Sequence, residues 1–162
     1  MPLIDVGSGS SILIDSCLSQ GFQDITALDI SASAFTHSKN RLAAAAARVR
    51  FVEADILGWQ PTRYYGLWHD RAAFHFLIEP TARGRYFSTL TAVLEKGGYF
   101  ICATFAFTGP KQCSGLTVRR YDAEVLGATF APWFDLLEND QQVHLTPGGS
   151  DQRFIWELFR RK

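Results

Sequence analysis

The run Leu3-Ile4-Asp5-Val6-Gly7-Ser8-Gly9-Ser10-Ser11 constrains the fold more than any other stretch of the chain. It reads as a short buried strand, a sharp glycine turn and the entry to a helix. A second strand follows over 24–29 and ends on Asp29. Glycines let a ligand pass close to the backbone, the first N–H groups of a helix face it, and a carboxylate at the next strand tip can accept from ribose hydroxyls. The layout suits a nucleoside. It also suits an ordinary βα turn whose Asp29 caps the following helix. Ser31 and Ser33 are placed for that capping, which leaves Asp29 for ribose. A dinucleotide-binding turn would carry a third glycine where this chain has Ile12, so a ligand without phosphates fits better than a nicotinamide dinucleotide.

Strand and helix patterns alternate along the rest of the chain. Strands are expected at 3–6, 24–29, 49–53, 65–69 and 99–105, and helices at 11–20, 31–47, 80–95 and 121–129. Ile12, Leu13, Cys17 and Leu18 form the apolar face of the first helix, and Gly97-Gly98 ends the third. Extended runs within 134–145 and 153–159 flank Thr146-Pro147-Gly148-Gly149-Ser150, the signature of a hairpin. The fold class is therefore α/β: a Rossmann-like, mostly parallel sheet closed by an antiparallel C-terminal hairpin, in one domain over 1–162.

Charge sets limits on partners. Sixteen basic residues balance sixteen acidic ones, which gives no electrostatic footprint for nucleic acid or an anionic membrane. Arg160-Arg161-Lys162 reads as a frayed, solvated tail. No apolar run is long enough to span a bilayer, no signal peptide leads the chain, and Cys17, Cys102 and Cys113 are scattered without metal-ligand spacing. The expectation is a cytoplasmic protein without a metal site; His37 and His144 also stand alone.

At this level of detail the chain resembles the class I S-adenosylmethionine-dependent methyltransferases. Asp5-Val6-Gly7-Ser8-Gly9-Ser10 is similar to that family's motif I, Leu28-Asp29-Ile30-Ser31 to its ribose-binding acid loop, and Val52-Glu53-Ala54-Asp55-Ile56 to its adenine-binding loop. Trp68-His69-Asp70-Arg71-Ala72-Ala73-Phe74-His75 and the later Cys113-Ser114-Gly115-Leu116 are similar to a group of small bacterial methyltransferases distantly akin to the lysine methyltransferases of citrate synthase and elongation factor. The resemblance implies S-adenosyl-L-methionine as cofactor. Gly7, Ser8 and Gly9 would run beneath it, Asp5 would lie near its cationic amino-acid end, Asp29 would take its ribose and Ile30 its adenine face. Asp55 and the Ile56 N–H would serve the adenine edge, and His69 would complete the cofactor side.

The resemblance also implies residues before motif I that cover the methionine end, and with the strand of motif I beginning at Leu3 the expectation is a protein without that cover. The expectation drawn from that, together with an aromatic content of 14%, is a homodimer that closes the cofactor mouth.

The segment 69–75 should face the acceptor. Methyl transfer demands alignment and desolvation, and a base only where the acceptor arrives protonated. His69, Asp70 and His75 are the candidate bases, and Arg71 can hold an acidic acceptor or balance Asp70. The alternative is an Asp70–Arg71 structural pair with His75 packed in the core. A loop over 105–116 is expected to complete the acceptor pocket, while Arg119, Arg120 and Tyr121 either line it or start the next helix. The preferred function is methyl transfer to a small molecule. A protein-lysine methyltransferase and a non-catalytic cofactor-binding subunit are the alternatives.

Overall fold

The computed structural model describes residues 1–146 and 148–162, so Pro147 of the hairpin turn lies outside the described residues. Seven strands form one sheet: β1 (Leu3–Val6), β2 (Ile25–Asp29), β3 (Val49–Glu53), β4 (Tyr65–Arg71), β5 (Leu94–Phe105), and the later β8 (Phe134–Leu145) and β9 (Asp151–Arg161). A separate hairpin pairs β6 (Gln112–Cys113) with β7 (Leu116–Thr117). The helices are α1 (Leu13–Ser19), α2 (Ala34–Leu42), α3 (Pro80–Val93) and α4 (Ala123–Phe130). The sheet order is β3-β2-β1-β4-β5-β9-β8, parallel from β3 to β5, with β9 antiparallel to both of its neighbours. The α/β class and the antiparallel C-terminal hairpin are as expected.

Strand alternation divides the core between two faces. Ile4, Val6, Trp68, Phe100 and Phe159 point to α3 and α4, which contribute Tyr86, Leu90, Leu126 and Phe130. Leu3, Ile25 and Val49 face the other way, onto Ile14 and Cys17 of α1 and Phe35 of α2. The aromatic residues concentrate on the first face: Phe100, Phe130, Phe134 and Phe159 have ring centroids 4.8–6.1 Å apart. The aromatic surplus therefore fills the core, and it gives no support to the expected subunit interface.

Several local expectations are corrected. Ile12 is 68% exposed, and Ile14 takes the buried place on α1. The helix expected over 31–47 ends as an α-helix at Leu42, where Ala43 adopts φ 48, and a 3-10 segment (Ala43–Arg48) leads into β3. Alanine propensity yields there to the turn that sets Val49 beside Ile25. Helix α3 stops at Val93, before the glycine pair, and Gly97 and Gly98 lie inside β5. A Cβ on Gly98 would stand 2.8 Å from the Glu95 carbonyl oxygen, and the β4–β5 register shifts beside it, so the pair marks a bulge. The basic tail is also structured. Arg160 and Arg161 belong to β9, Arg161 donates to the Leu94 carbonyl, and the Lys162 ammonium donates to that of Ala131. No helix of the described residues is long and apolar enough to cross a membrane.

Candidate functional site

The order in which strands are added to the sheet reverses between the parallel strands β1 and β4, the switch point where sheets of this kind leave a crevice beyond their strand ends. The loops after β1, β2, β3 and β4 meet there. Gly7 (φ 67) and Gly9 (φ 51) turn the chain out of β1 in the left-handed region that glycine tolerates. The N–H groups of Gly7 and Ser8 both donate to the Leu28 carbonyl, at 2.8 and 3.1 Å. Asp29 joins the two loops: its Oδ2 accepts the Gly9 N–H at 2.9 Å and its Oδ1 accepts the Ser31 N–H at 3.0 Å. Ser31 and Ser33 bond to each other at 2.7 Å, and neither side chain caps α2. Asp55 accepts the Leu57 N–H at 2.9 Å and holds the loop after β3.

These loops enclose a cavity of about 280 Å³ whose wall includes Gly7, Asp29, Ile30, Asp55, Ile56 and Phe76. Five of the nine expected cofactor residues therefore come together. Ile30 is 70% exposed and offers a free apolar face. Asp5, Ser8, Gly9 and His69 are outside that wall. Gly9 contributes through its bond to Asp29, and Ser8 is buried with its hydroxyl unpartnered among the described residues. Ala72, Ala73 and Phe76 add an apolar wall that lies outside the expected cofactor residues. The only sequence signal for it is the small-residue pair before an aromatic, Ala72-Ala73-Phe74-His75-Phe76.

Asp5 and His69 are register partners on β1 and β4. The Asp5 Oδ1 and His69 Nδ1 atoms are 2.7 Å apart, with 2% of Asp5 and 8% of His69 exposed. A carboxylate oxygen accepts, so Nδ1 carries the hydrogen and Nε2 is the ring nitrogen left over. His69 and Arg71 share one face of β4 and border a second cavity of about 490 Å³, between the start of α1 and the β8–β9 hairpin. Phe154 and Trp156 of β9 complete its wall.

Strand β4 runs on through Arg71, two residues further than expected, and this decides the fate of its neighbours. Asp70 points to the opposite face from Arg71, so the two form no pair. It is fully buried, its Oδ1 accepts the Ala73 and Phe74 N–H groups at 2.9 and 3.0 Å, and its Oδ2 accepts the Tyr86 hydroxyl at 2.7 Å. Burial pushes the Asp70 carboxyl up, and the hydrogen bonds from Tyr86, Phe74 and Ala73 pull against that. Its work is to fix the Ala72–Ala73 turn, where Ala72 sits at φ 66. His75 is also fully buried, with Phe76 and Phe105 rings each 4.7 Å away, and burial lowers its pKa to about 4. Neither Asp70 nor His75 lines either cavity.

The loop expected over 105–116 lines neither cavity. It folds into the β6–β7 hairpin, and Cys113 packs beside Ala72 and Phe76 on the Phe105–Phe154 cluster. The β8–β9 hairpin supplies that wall instead. Arg119 and Tyr121 do not start α4, whose cap is Asp122, accepting the Val125 N–H at 2.7 Å.

The profile of the methyltransferase domain family matches residues 3–98, so the chain belongs to that family. No curated protein sequence matches it. Among solved structures it is similar to 1,6-didemethyltoxoflavin-N1-methyltransferase of Burkholderia thailandensis, solved with 1,6-didemethyltoxoflavin and S-adenosylhomocysteine. The TM-score is 0.77 at 21% identity, over 99% of this chain and 70% of that one. It is also similar to the N-methyltransferase NodS of Bradyrhizobium japonicum WM9 in complex with S-adenosylhomocysteine (TM-score 0.77, 13% identity, 99% and 77% covered). A third similar structure is an S-adenosylmethionine-dependent methyltransferase of Clostridium acetobutylicum ATCC 824 (TM-score 0.76, 13% identity, 99% and 83% covered). At such identities these likenesses speak for the fold.

Proposed function

We propose that the chain binds S-adenosyl-L-methionine in the cleft formed by Gly7, Asp29, Ile30, Asp55 and Ile56 and transfers its methyl group to a small-molecule acceptor. The observation that carries the reading is the Asp29 carboxylate at the wall of that cleft. Each of its oxygens accepts one backbone N–H, and a carboxylate oxygen has room for a second donor such as a ribose hydroxyl. The rest of the wall fits the same ligand: Ile30 and Ile56 offer apolar faces to a purine, and Asp55 offers an acceptor for an exocyclic amine. The structures similar in fold that were solved with S-adenosylhomocysteine support the choice of cofactor.

S-adenosylmethionine supplies a methyl carbon already activated by its sulfonium, so the protein's task is alignment and exclusion of water. Gly7 and Ala73 bring the loops after β1 and β4 into contact at the wall of the first cavity. Asp70 holds that second loop in place. His69, oriented by Asp5, receives at Nε2 the proton of an acceptor that arrives as a hydroxyl or an amine cation. Asp5 and Asp70 are positioning residues in this scheme, and His75 has no part in proton transfer.

Incubating the protein with methyl-labelled S-adenosylmethionine and a fractionated cell extract tests the reading. Label is expected in the low-mass fraction. Label confined to a protein band would instead mark a protein acceptor, and no cofactor-dependent transfer with any fraction would remove the activity.

A further inference from the structure

The cavity at the end of β4 holds a cation with no anion. The Arg71 guanidinium lies 5.1 Å from the Phe154 ring centroid, and among the described residues it has no carboxylate partner. Among the described residues no aspartate or glutamate lines this cavity. Its other ionisable wall groups are two histidines: His69, whose Nδ1 is committed to Asp5, and His144 on β8. Asp5 meets His69 at 2.7 Å, is not among the wall residues and makes no ion pair with Arg71. Beside the cation, Phe154 and the half-buried Trp156 give a flat apolar surface.

An arginine held on an aromatic ring keeps its planar fork of donors in one orientation. A carboxylate matches that fork with two parallel hydrogen bonds, which an ammonium or a neutral amide cannot do. We propose that this cavity receives a small acceptor bearing a carboxylate on a flat apolar body, with the carboxylate on Arg71, the body against Trp156 and the methyl-accepting atom toward His69. The assignment rests on the methyl-transfer reading above. A carboxylate also belongs to the amino-acid end of the cofactor, and the test must separate the two sources.

Benzoate and its neutral analogue benzamide serve as probes, titrated by calorimetry or NMR into protein saturated with S-adenosylhomocysteine. Benzoate is expected to bind at least about tenfold more tightly than benzamide, as the loss of one charge-assisted bond implies. Arg71→Gln should erase that preference, and Arg71→Lys, which keeps the charge but not the fork, should retain only part of it. Both variants should bind S-adenosylhomocysteine and 5′-methylthioadenosine as the parent does, and unchanged melting checks that they fold. Equal binding of benzoate and benzamide overturns the proposal. A tenfold loss of S-adenosylhomocysteine affinity in Arg71→Gln, with 5′-methylthioadenosine unaffected, also overturns it and gives Arg71 to the cofactor. Failure of both nucleosides to bind the parent protein overturns the methyl-transfer reading itself.

Discussion

The Asp29 carboxylate and the Gly9 N–H are 2.9 Å apart, and this bond ties the tip of β2 to the turn that leaves β1. One side chain thus shapes the glycine turn and also presents its remaining lone pairs to the cleft. Asp29→Ala should therefore act twice. It should weaken S-adenosylhomocysteine binding by about tenfold or more and cost about 1–3 kcal/mol of stability. Calorimetry and denaturant unfolding read the two effects, and an unchanged affinity would withdraw the ribose role.

Gly7 and Ala73 make the second tight contact of the cleft. A Cβ on Gly7 would stand 2.9 Å from the Ala73 Cβ, at a backbone φ of 67 that penalises any side chain. Gly7→Ala should destabilise the protein by about 1–2 kcal/mol through φ alone, with the clash added to that. Ala73→Gly in the same chain should recover the clash and leave the φ penalty. A double-mutant cycle therefore predicts a favourable coupling. Strict additivity would show that the two loops do not touch in solution.

Glu157 is buried on β9 with both carboxylate oxygens unpartnered among the described residues. Burial, and secondarily the negative charge of Asp122, push its pKa up to about 8. The unfolded chain gives up that proton near the ordinary value of 4.5, whereas the folded protein keeps it to about pH 8. The stability tied to this proton is therefore complete below pH 4.5 and lost as pH rises through about 8. Unfolding free energies should fall by about 3–5 kcal/mol more in the parent than in Glu157→Gln across that window. Parallel pH curves for the two proteins would contradict this.

His75 gives the opposite sign. Its folded pKa of about 4 lies below the ordinary 6.5, so its contribution is present above pH 6.5 and lost as pH falls through about 4. Its ring carbons, followed by NMR, should show no titration between pH 5 and 8. His75→Phe should keep methyl transfer, because the ring packs against Phe76 and Phe105 and reaches neither cavity. A large loss of turnover with an intact fold would restore His75 as a base.

Much of this site is legible in the chain itself, and for local reasons. The glycine turn and the acid at a strand tip carry signals in their own short segments, which single out Gly7 and Asp29, while Asp55 and Ile56 follow from the family resemblance; these residues and Ile30 line the first cavity. The roles of residues 69–75 depend on where β4 ends. Two more residues of strand put His69 and Arg71 on one face and bury Asp70 on the other. The Phe154 and Trp156 wall comes from a strand that pairs across the sheet, a relation with no local signature. The glycine pair at 97–98 reads as a helix stop in the sequence because a bulge and a C-cap use the same residue for the same conformational freedom.

The most direct test is a crystal structure of the protein with S-adenosylhomocysteine. The ribose is expected within hydrogen-bonding distance of the Asp29 carboxylate, the adenine between Ile30 and Ile56, and the sulfur at the seam of Gly7 and Ala73. A nucleoside bound elsewhere, or one that leaves the Asp29 carboxylate untouched, would contradict the assignment of this cleft.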